Sequence, residues 1–267
     1  MAYSKIRYRT AEGVATIELN DPPANTYWYD MMREVDEAVL DARMDASVHV
    51  IVLRGAGEKF FCAGANIGLL KNADPDFKYY FCLHANETLN RLEQTPKLVI
   101  AALNGHTVGG GLEVALAADI RVARKDGGKI GRPEVALGVL PGTGGTQRLA
   151  RVVGKARAID LMVHGRLMTF DEAHALGLVN EVWGADALAG RTFAEAVQAY
   201  AVQFTPPHKA SKAVGRIKRA VQSGAEMSFT DGLAVERELQ QLLFESEDAK
   251  EGIAANLEKR KPRFSGR

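Results

Sequence analysis

Residues 98–123 read LVIAALNGHTVGGGLEVALAADIRVA, and the fold can be worked out from this stretch. Leu98 to Leu103 is an unbroken apolar run, as expected of a strand covered on both faces. Gly111 to Ala118 is rich in Ala and Leu and predicts a helix, and Ile120 to Ala123 predicts the next strand. Strands that alternate with helices argue for an α/β fold with buried sheets.

The flanking sequence repeats the theme. Upstream, Lys5 to Arg9 and Val14 to Leu19 are rich in β-formers and separated by Glu12-Gly13, which predicts a hairpin. After Asp21-Pro22-Pro23, the spacing of Met31, Met32, Val35, Ala38, Val39 and Ala42 predicts one amphipathic helix. Val48 to Leu53, bounded by Gly55 and Gly57, predicts a buried strand. Phe77 to Glu93 returns to helical spacing through Tyr80, Phe81, Ala85, Leu89 and Leu92, and Pro96 closes it. Beyond about Ala185 the strand signal ends: Ala194 to Phe204, His208 to Val221, Leu233 to Phe244 and Asp248 to Lys259 all carry helical patterns. We therefore expect a core over residues 1–195 and a helical unit over 196–267.

At 267 residues the chain suits one large domain with an appendage or two small ones. It is 46% hydrophobic and 25% charged, as soluble globular proteins are. The formal charge of +1 gives no bulk attraction for nucleic acid or acidic lipid. Met1 to Ala15 lacks the apolar stretch of a secretory signal, and the Leu98–Leu103 run is far shorter than the ~20 residues that span a bilayer. With only Cys62 and Cys82, and no Cys-x-x-Cys, the composition fits a reducing compartment and two ordinary thiols. A cytoplasmic protein is expected.

Three constellations could carry chemistry. In Gly105-His106-Thr107-Val108-Gly109-Gly110-Gly111-Leu112-Glu113, three glycines run from a strand into a helix, where each costs ~1 kcal/mol relative to alanine. Either a ligand approaches the backbone there, with helix N–H groups free for an anionic oxygen, or a tight turn packs against a neighbour. Residue spacing leaves both open. Phe60-Phe61-Cys62-Ala63-Gly64-Ala65-Asn66-Ile67 is a run with small residues after the Val48 strand, by itself an ordinary loop. Gly131-Arg132-Pro133-Glu134-Val135-Ala136-Leu137-Gly138 leads into Leu140-Pro141-Gly142-Thr143-Gly144-Gly145-Thr146-Gln147-Arg148-Leu149. Glu134 has apolar neighbours, which would desolvate its carboxyl and raise its pKa towards that of a proton donor. Alone, it reads rather as the cap of the helix opened by Gly144 or Thr146. Glu113, between Leu112 and Val114, carries the same ambiguity.

Other schemes find little support. Gly-x-Gly-x-x-Gly is absent, and the phosphate-loop pattern fails at Gly154-Lys155 because 149 is Leu and 156 is Ala. No Gly-x-Ser-x-Gly elbow and no paired His or Cys ligands occur, so no metal is expected. His106 reads as a structural histidine.

Taken together, in this order and spacing, the three segments resemble those of the crotonase, or enoyl-CoA hydratase/isomerase, superfamily. Cys62 to Ile67 is similar to its first oxyanion-hole loop, Asn104-Gly105 through Glu113 to its Gly-Gly-Gly-x-Glu helix start, and Pro133-Glu134 through Leu149 to its second glutamate and glycine loop. The likeness runs from about Ile6 to Phe264. It implies a spiral of β-β-α units and a C-terminal helical region that assembles homotrimers or dimers of trimers.

For function the resemblance implies hydration of a trans-2-enoyl-CoA in fatty acid β-oxidation, with coenzyme A as part of the substrate and no other cofactor. The N–H groups of Ala65 and Gly110 would bind the thioester oxygen, where one such donor is worth ~2.7–4 kcal/mol. Glu113 would activate water and Glu134 protonate C2, with Gly142 lining the water site. Ala63, Asn66 and Ile67 would contact coenzyme A, and Lys259 would meet it across a subunit boundary. Asn66 stands where the family most often has Asp, and Asn256 where an aromatic or apolar residue is common near the tail lysine. Phe77 to Leu92 and Leu140 are expected to form the floor of the acyl pocket.

Isomerases of the superfamily can work with the second glutamate alone, so the presence of both favours hydration. Gly142 stands where dienoyl-CoA isomerases carry Asp. A non-catalytic CoA- or RNA-binding scaffold is the reading from another class. Lys209, Lys212, Arg216, Lys218 and Arg219 would be its basic helix face, although a solvated face explains them better.

Overall fold

The computed structural model describes residues 3–267; the first two residues of the Met1–Ala15 segment lie outside it. The chain begins with β1 (Ile6–Ala11), β2 (Val14–Leu19), α1 (Tyr29–Met44), β3 (Val50–Gly55), β4 (Phe60–Cys62), α2 (Ile67–Leu70) and α3 (Pro75–Glu93). It continues through β5 (Leu98–Leu103), β6 (His106–Val108), α4 (Gly110–Leu116), β7 (Ile120–Arg124), β8 (Lys129–Gly131), a 3-10 turn (Glu134–Leu137), α5 (Gly145–Val153) and α6 (Lys155–His164). It ends with β9 (Leu167–Thr169), α7 (Phe170–Ala175), β10 (Glu181–Trp183), α8 (Ala185–Leu188), α9 (Phe193–Val202), α10 (Ser211–Gly224), α11 (Phe229–Phe244) and α12 (Glu247–Leu257).

Each repeat contributes one strand to each of two sheets. The large sheet has the order β1-β2-β3-β5-β7-β10 and the small one β4-β6-β8-β9. From β2 to β10 the large sheet is parallel, as is the small one from β4 to β8. Each β-β-α turn therefore advances both sheets by one strand, and the result is the expected spiral. Its consequence is spatial: β4, β6 and β8 are parallel neighbours, so the segments that leave their carboxyl ends emerge side by side. Those are the three segments singled out in the sequence.

The core follows from the pattern of β5. All six of its residues are buried, and alternation sends Val99, Ala101 and Leu103 to one face and Leu98, Ile100 and Ala102 to the other. The first set joins a cluster with Val35 and Val39 of α1 and Phe81, Ala85 and Leu89 of α3. The second is covered by Phe193, Val197 and Ala201 of α9. The expected boundary at 195/196 thus falls inside a helix that closes the outer face of the sheet. Residues 211–257 form the remaining C-terminal helices, α10 to α12.

The basic face expected on α10 is not uniformly solvated. Lys218 is only 7% exposed: its Nζ lies 2.8 Å from Oδ2 of Asp119 and donates to the Lys97 carbonyl at 3.0 Å. This lysine fastens α10 to the sheet and is not available to an RNA backbone. Among the described residues, no helix is long and apolar enough to cross a membrane.

Candidate active site

The glycines after β6 are explained by three separate contacts. Gly109 has φ +57° and ψ −129°, a conformation that strains any residue with a Cβ. A Cβ on Gly110 would run into the ring and hydroxyl of Tyr27, and one on Gly111 into the Cys62 carbonyl. The chain is therefore pressed between Tyr27 and β4, which is the packing reading of the sequence. It also leaves two donors free. Gly110 opens α4, where no earlier carbonyl lies in reach, and Ala65 sits on a bridge whose hydrogen bonds engage the N–H groups of Tyr27 and Asn66 instead. Neither the Gly110 nor the Ala65 N–H has an acceptor among the described residues.

Glu113 is carried by α4, a helix buried along its whole length, and is itself 2% exposed. Its Oε1 accepts the N–H groups of Thr143 and Gly145, each at 2.8 Å, and its Oε2 accepts the Thr143 hydroxyl. Thr143 Oγ1 is in turn 3.0 Å from the buried Tyr27 hydroxyl. Of the two glutamates that the sequence left open as a helix cap, the one that caps α5 is thus Glu113.

Arg132 completes the cluster and is 1% exposed. One of its nitrogens, Nη2, lies 3.1 Å from Oε1 of Glu113 and donates to Oε1 of Glu134 at 2.8 Å. Burying a guanidinium is costly unless it is paired, and here it has two carboxylates. The sequence reading passed over Arg132 because an arginine before Pro133-Glu134 has no periodicity or motif that marks it as buried.

The two carboxyls are pushed apart. Burial would raise the Glu113 pKa, but the Arg132 charge, the Thr143 hydroxyl and the Gly145 N–H outweigh it and hold the group below its ordinary value. For Glu134 burial dominates and raises the pKa despite Arg132. Apolar sequence neighbours suggested desolvation for both, yet its net effect differs because Glu113 accepts from Thr143 and Gly145 as well as lying beside Arg132, whereas Arg132 is the side chain that donates to Glu134. An ionised base beside a protonatable acid is the arrangement needed to move two protons in one reaction.

The sequence profile of the enoyl-CoA hydratase/isomerase family matches residues 9–267. The chain belongs to this family. It is 38% identical over 268 residues to a protein of Mycobacterium bovis described as a "Probable enoyl-CoA hydratase", with all of both chains covered. It is 37% identical over 249 residues to the short-chain-enoyl-CoA hydratase of Clostridium acetobutylicum, covering 93% of this chain and 92% of that one. Among solved structures, an enoyl-CoA hydratase from Geobacillus kaustophilus superposes with a TM-score of 0.94 at 44% identity, covering 100% of this chain and 98% of the other.

As a member of the enoyl-CoA hydratase/isomerase family, the chain gathers most of the expected residues around one cavity of about 450 Å³. Glu113, Glu134, Ala65, Gly110, Ala63, Ile67 and Gly142 all line it, together with Tyr27, Thr143, Lys71 and Lys78. Two expected residues lie elsewhere. Asn66 caps α2 by accepting the Leu69 N–H at 3.1 Å, and Lys259 follows α12 outside the cavity wall. The acyl floor also differs from expectation: of α3 only Lys78 faces the cavity, because Phe81 turns onto Tyr27 and Trp28. Leu70, Leu137, Val139 and Leu140 supply the apolar wall. His106 is structural, its Nδ1 accepting the Lys129 N–H at 3.0 Å.

Proposed function

We propose that the protein is an enoyl-CoA hydratase, adding water across the C2–C3 double bond of a trans-2-enoyl-CoA to give a 3-hydroxyacyl-CoA. The observation that carries this reading is the opposed protonation tendency of Glu113 and Glu134 in one cavity that also holds two unpaired backbone N–H groups. The thioester carbonyl would accept from Ala65 and Gly110, which stabilises the enolate-like charge as it forms. Glu113 takes a proton from water whose oxygen bonds to C3, and Glu134 gives its proton to C2. Charge and atoms balance: one water enters, and the pair ends with its proton moved from one carboxyl to the other.

Lys71 and Lys78 give the cavity two ammonium groups suited to the phosphates of coenzyme A. The apolar wall of Leu70, Leu137, Val139 and Leu140 is suited chemically to an acyl chain. Self-association as a trimer or a dimer of trimers is part of the same proposal. It is supported by the exposed apolar residues Phe229, Phe244, Ile253 and Leu257 on α11 and α12. A partner subunit would then bring Lys259 to the coenzyme.

The test is the loss of conjugated-enoyl absorbance on mixing the protein with crotonyl-CoA, alongside sedimentation of the pure protein. Rapid loss with formation of 3-hydroxybutyryl-CoA supports the proposal. Binding without loss sinks it; movement of a 3-enoyl double bond would then identify an isomerase, and inertness towards both substrates a scaffold.

A further inference from the structure

Among the largest fully buried side chains of the described residues, Arg132 is the one that carries a charge. Its Nη2 serves both carboxylates, while among the described residues Nε and Nη1 have no acceptor and Oε2 of Glu134 has no donor. Both oxygens of Glu113 are occupied, so Oε2 of Glu134 is the single unpartnered carboxyl oxygen of the cluster. The guanidinium lies against the start of α5, where any Cβ on Gly145 would collide with it. The fold thus makes room for an arginine where the two carboxylates of the cavity meet.

The charges facing it are Glu113 from α4, Glu134 from the 3-10 turn and, if ionised, Tyr27 ahead of α1. Arg148 of α5 turns away to Glu93 and Asn90. With both glutamates ionised the buried cluster would be −1, and with one proton it is neutral. Low-dielectric surroundings favour the neutral state. The proton goes to the carboxyl with a free oxygen, because the other one already accepts from three groups besides the arginine.

We propose that Arg132 is a positioning residue for the glutamate pair, pinning Oε1 of both carboxyls on one nitrogen so that Glu113 stays ionised and Glu134 carries the exchangeable proton on Oε2. The roles of the two glutamates rest on the hydratase reading; the placement of the proton by Arg132 does not. Removing the cation raises both carboxyl pKa values, so both limbs of a pH profile move to higher pH. Loss of mere packing would lower the rate without moving the limbs.

Two assays separate this proposal from the hydratase reading. One is kcat and KM for crotonyl-CoA across pH, and the other is exchange of the C2 protons of butyryl-CoA with D2O followed by NMR, which needs no hydration. In Arg132→Gln we expect both limbs to rise by about 1–3 pH units, the size of a lost neighbouring charge, and kcat to fall while KM changes little. Arg132→Lys, which keeps the charge, should restore the limbs. Limbs that stay in place in Arg132→Gln overturn the proposal, whatever the rate. If that variant does not fold, Arg132→Met, apolar and of similar length, is read in the same way: limbs that rise support the proposal, and limbs that stay in place overturn it. Failure of the hydratase reading would show in the wild type, as exchange without hydration, and leave Arg132 testable.

Discussion

The Gly145 N–H donates to Oε1 of Glu113 at 2.8 Å, so a carboxylate on α4 caps the first turn of α5. A negative charge at a helix N-terminus is stabilised by the unpaired N–H groups and the dipole of that helix, typically by ~0.3–2 kcal/mol. The same contact fixes where the carboxylate points. Structure and proposed chemistry therefore share one bond, and changes to it should be felt in both.

Replacing either glutamate tests the pair directly. Glu113→Gln and Glu134→Gln should each lower kcat with crotonyl-CoA by about 10²–10⁴, the usual worth of a general acid or base, with a smaller change in KM. Glu113→Gln should also destabilise the fold, since its amide cannot accept from all four groups around the carboxylate, whereas Glu134→Gln should not. Urea unfolding compares the two; equal stability losses would contradict the capping role.

The pH profile follows from the directions of the two shifts. Hydration needs Glu113 ionised, so activity falls as pH drops through its lowered pKa, and it needs Glu134 protonated, so activity falls as pH rises through its raised one. The pair titrates as a unit, so the limbs are macroscopic. We expect kcat/KM for hydration to decline on the alkaline side within the range opened by burial of Glu134, and Glu134→Gln to abolish that limb in what activity remains.

Gly110→Ala should separate binding from turnover. Its methyl would meet the Tyr27 ring, with Cε1 at 2.7 Å, forcing the start of α4 off its position. Displacing one oxyanion donor costs about 10²–10³ in kcat, and overpacking costs ~1–3 kcal/mol of stability. Kinetics with crotonyl-CoA and urea unfolding check both; an unaltered kcat would remove Gly110 from the site.

The Asp119–Lys218 pair should dominate the attachment of α10. Lys218→Ala leaves Asp119 buried without its cation and should cost ~3–5 kcal/mol, read from urea unfolding. Combining Asp119→Leu with Lys218→Met should recover most of that loss, because the desolvation cost of both charges goes with them. A double variant no better than the single one would show that α10 is held by other contacts.

The strands and most helices were legible locally. Continuous apolar runs such as Leu98–Leu103 and helical spacings such as Met31 to Ala42 depend only on which faces of an element are covered. The glycine run after β6 was visible as well, although its cause was not, since Tyr27 is more than eighty residues away along the chain. For the same reason Lys218 read as a surface residue: nothing near it in sequence announces Asp119.

By itself, the sequence determined the alternation of strands and helices, the three segments that line the cavity and, through their order, the family. The tertiary structure decided how those segments work together. Parallel pairing of β4, β6 and β8 brings residues 65, 110 and 134 to one wall, and the start of α5 meets Glu113 there. Only then does buried Arg132 stand between two carboxylates of similar sequence surroundings, one ringed with donors and one with a free oxygen. Protonation depends on the charges and donors within a few ångströms of a group, and these come from residues distant in the chain, so their effect exists only once the fold has formed.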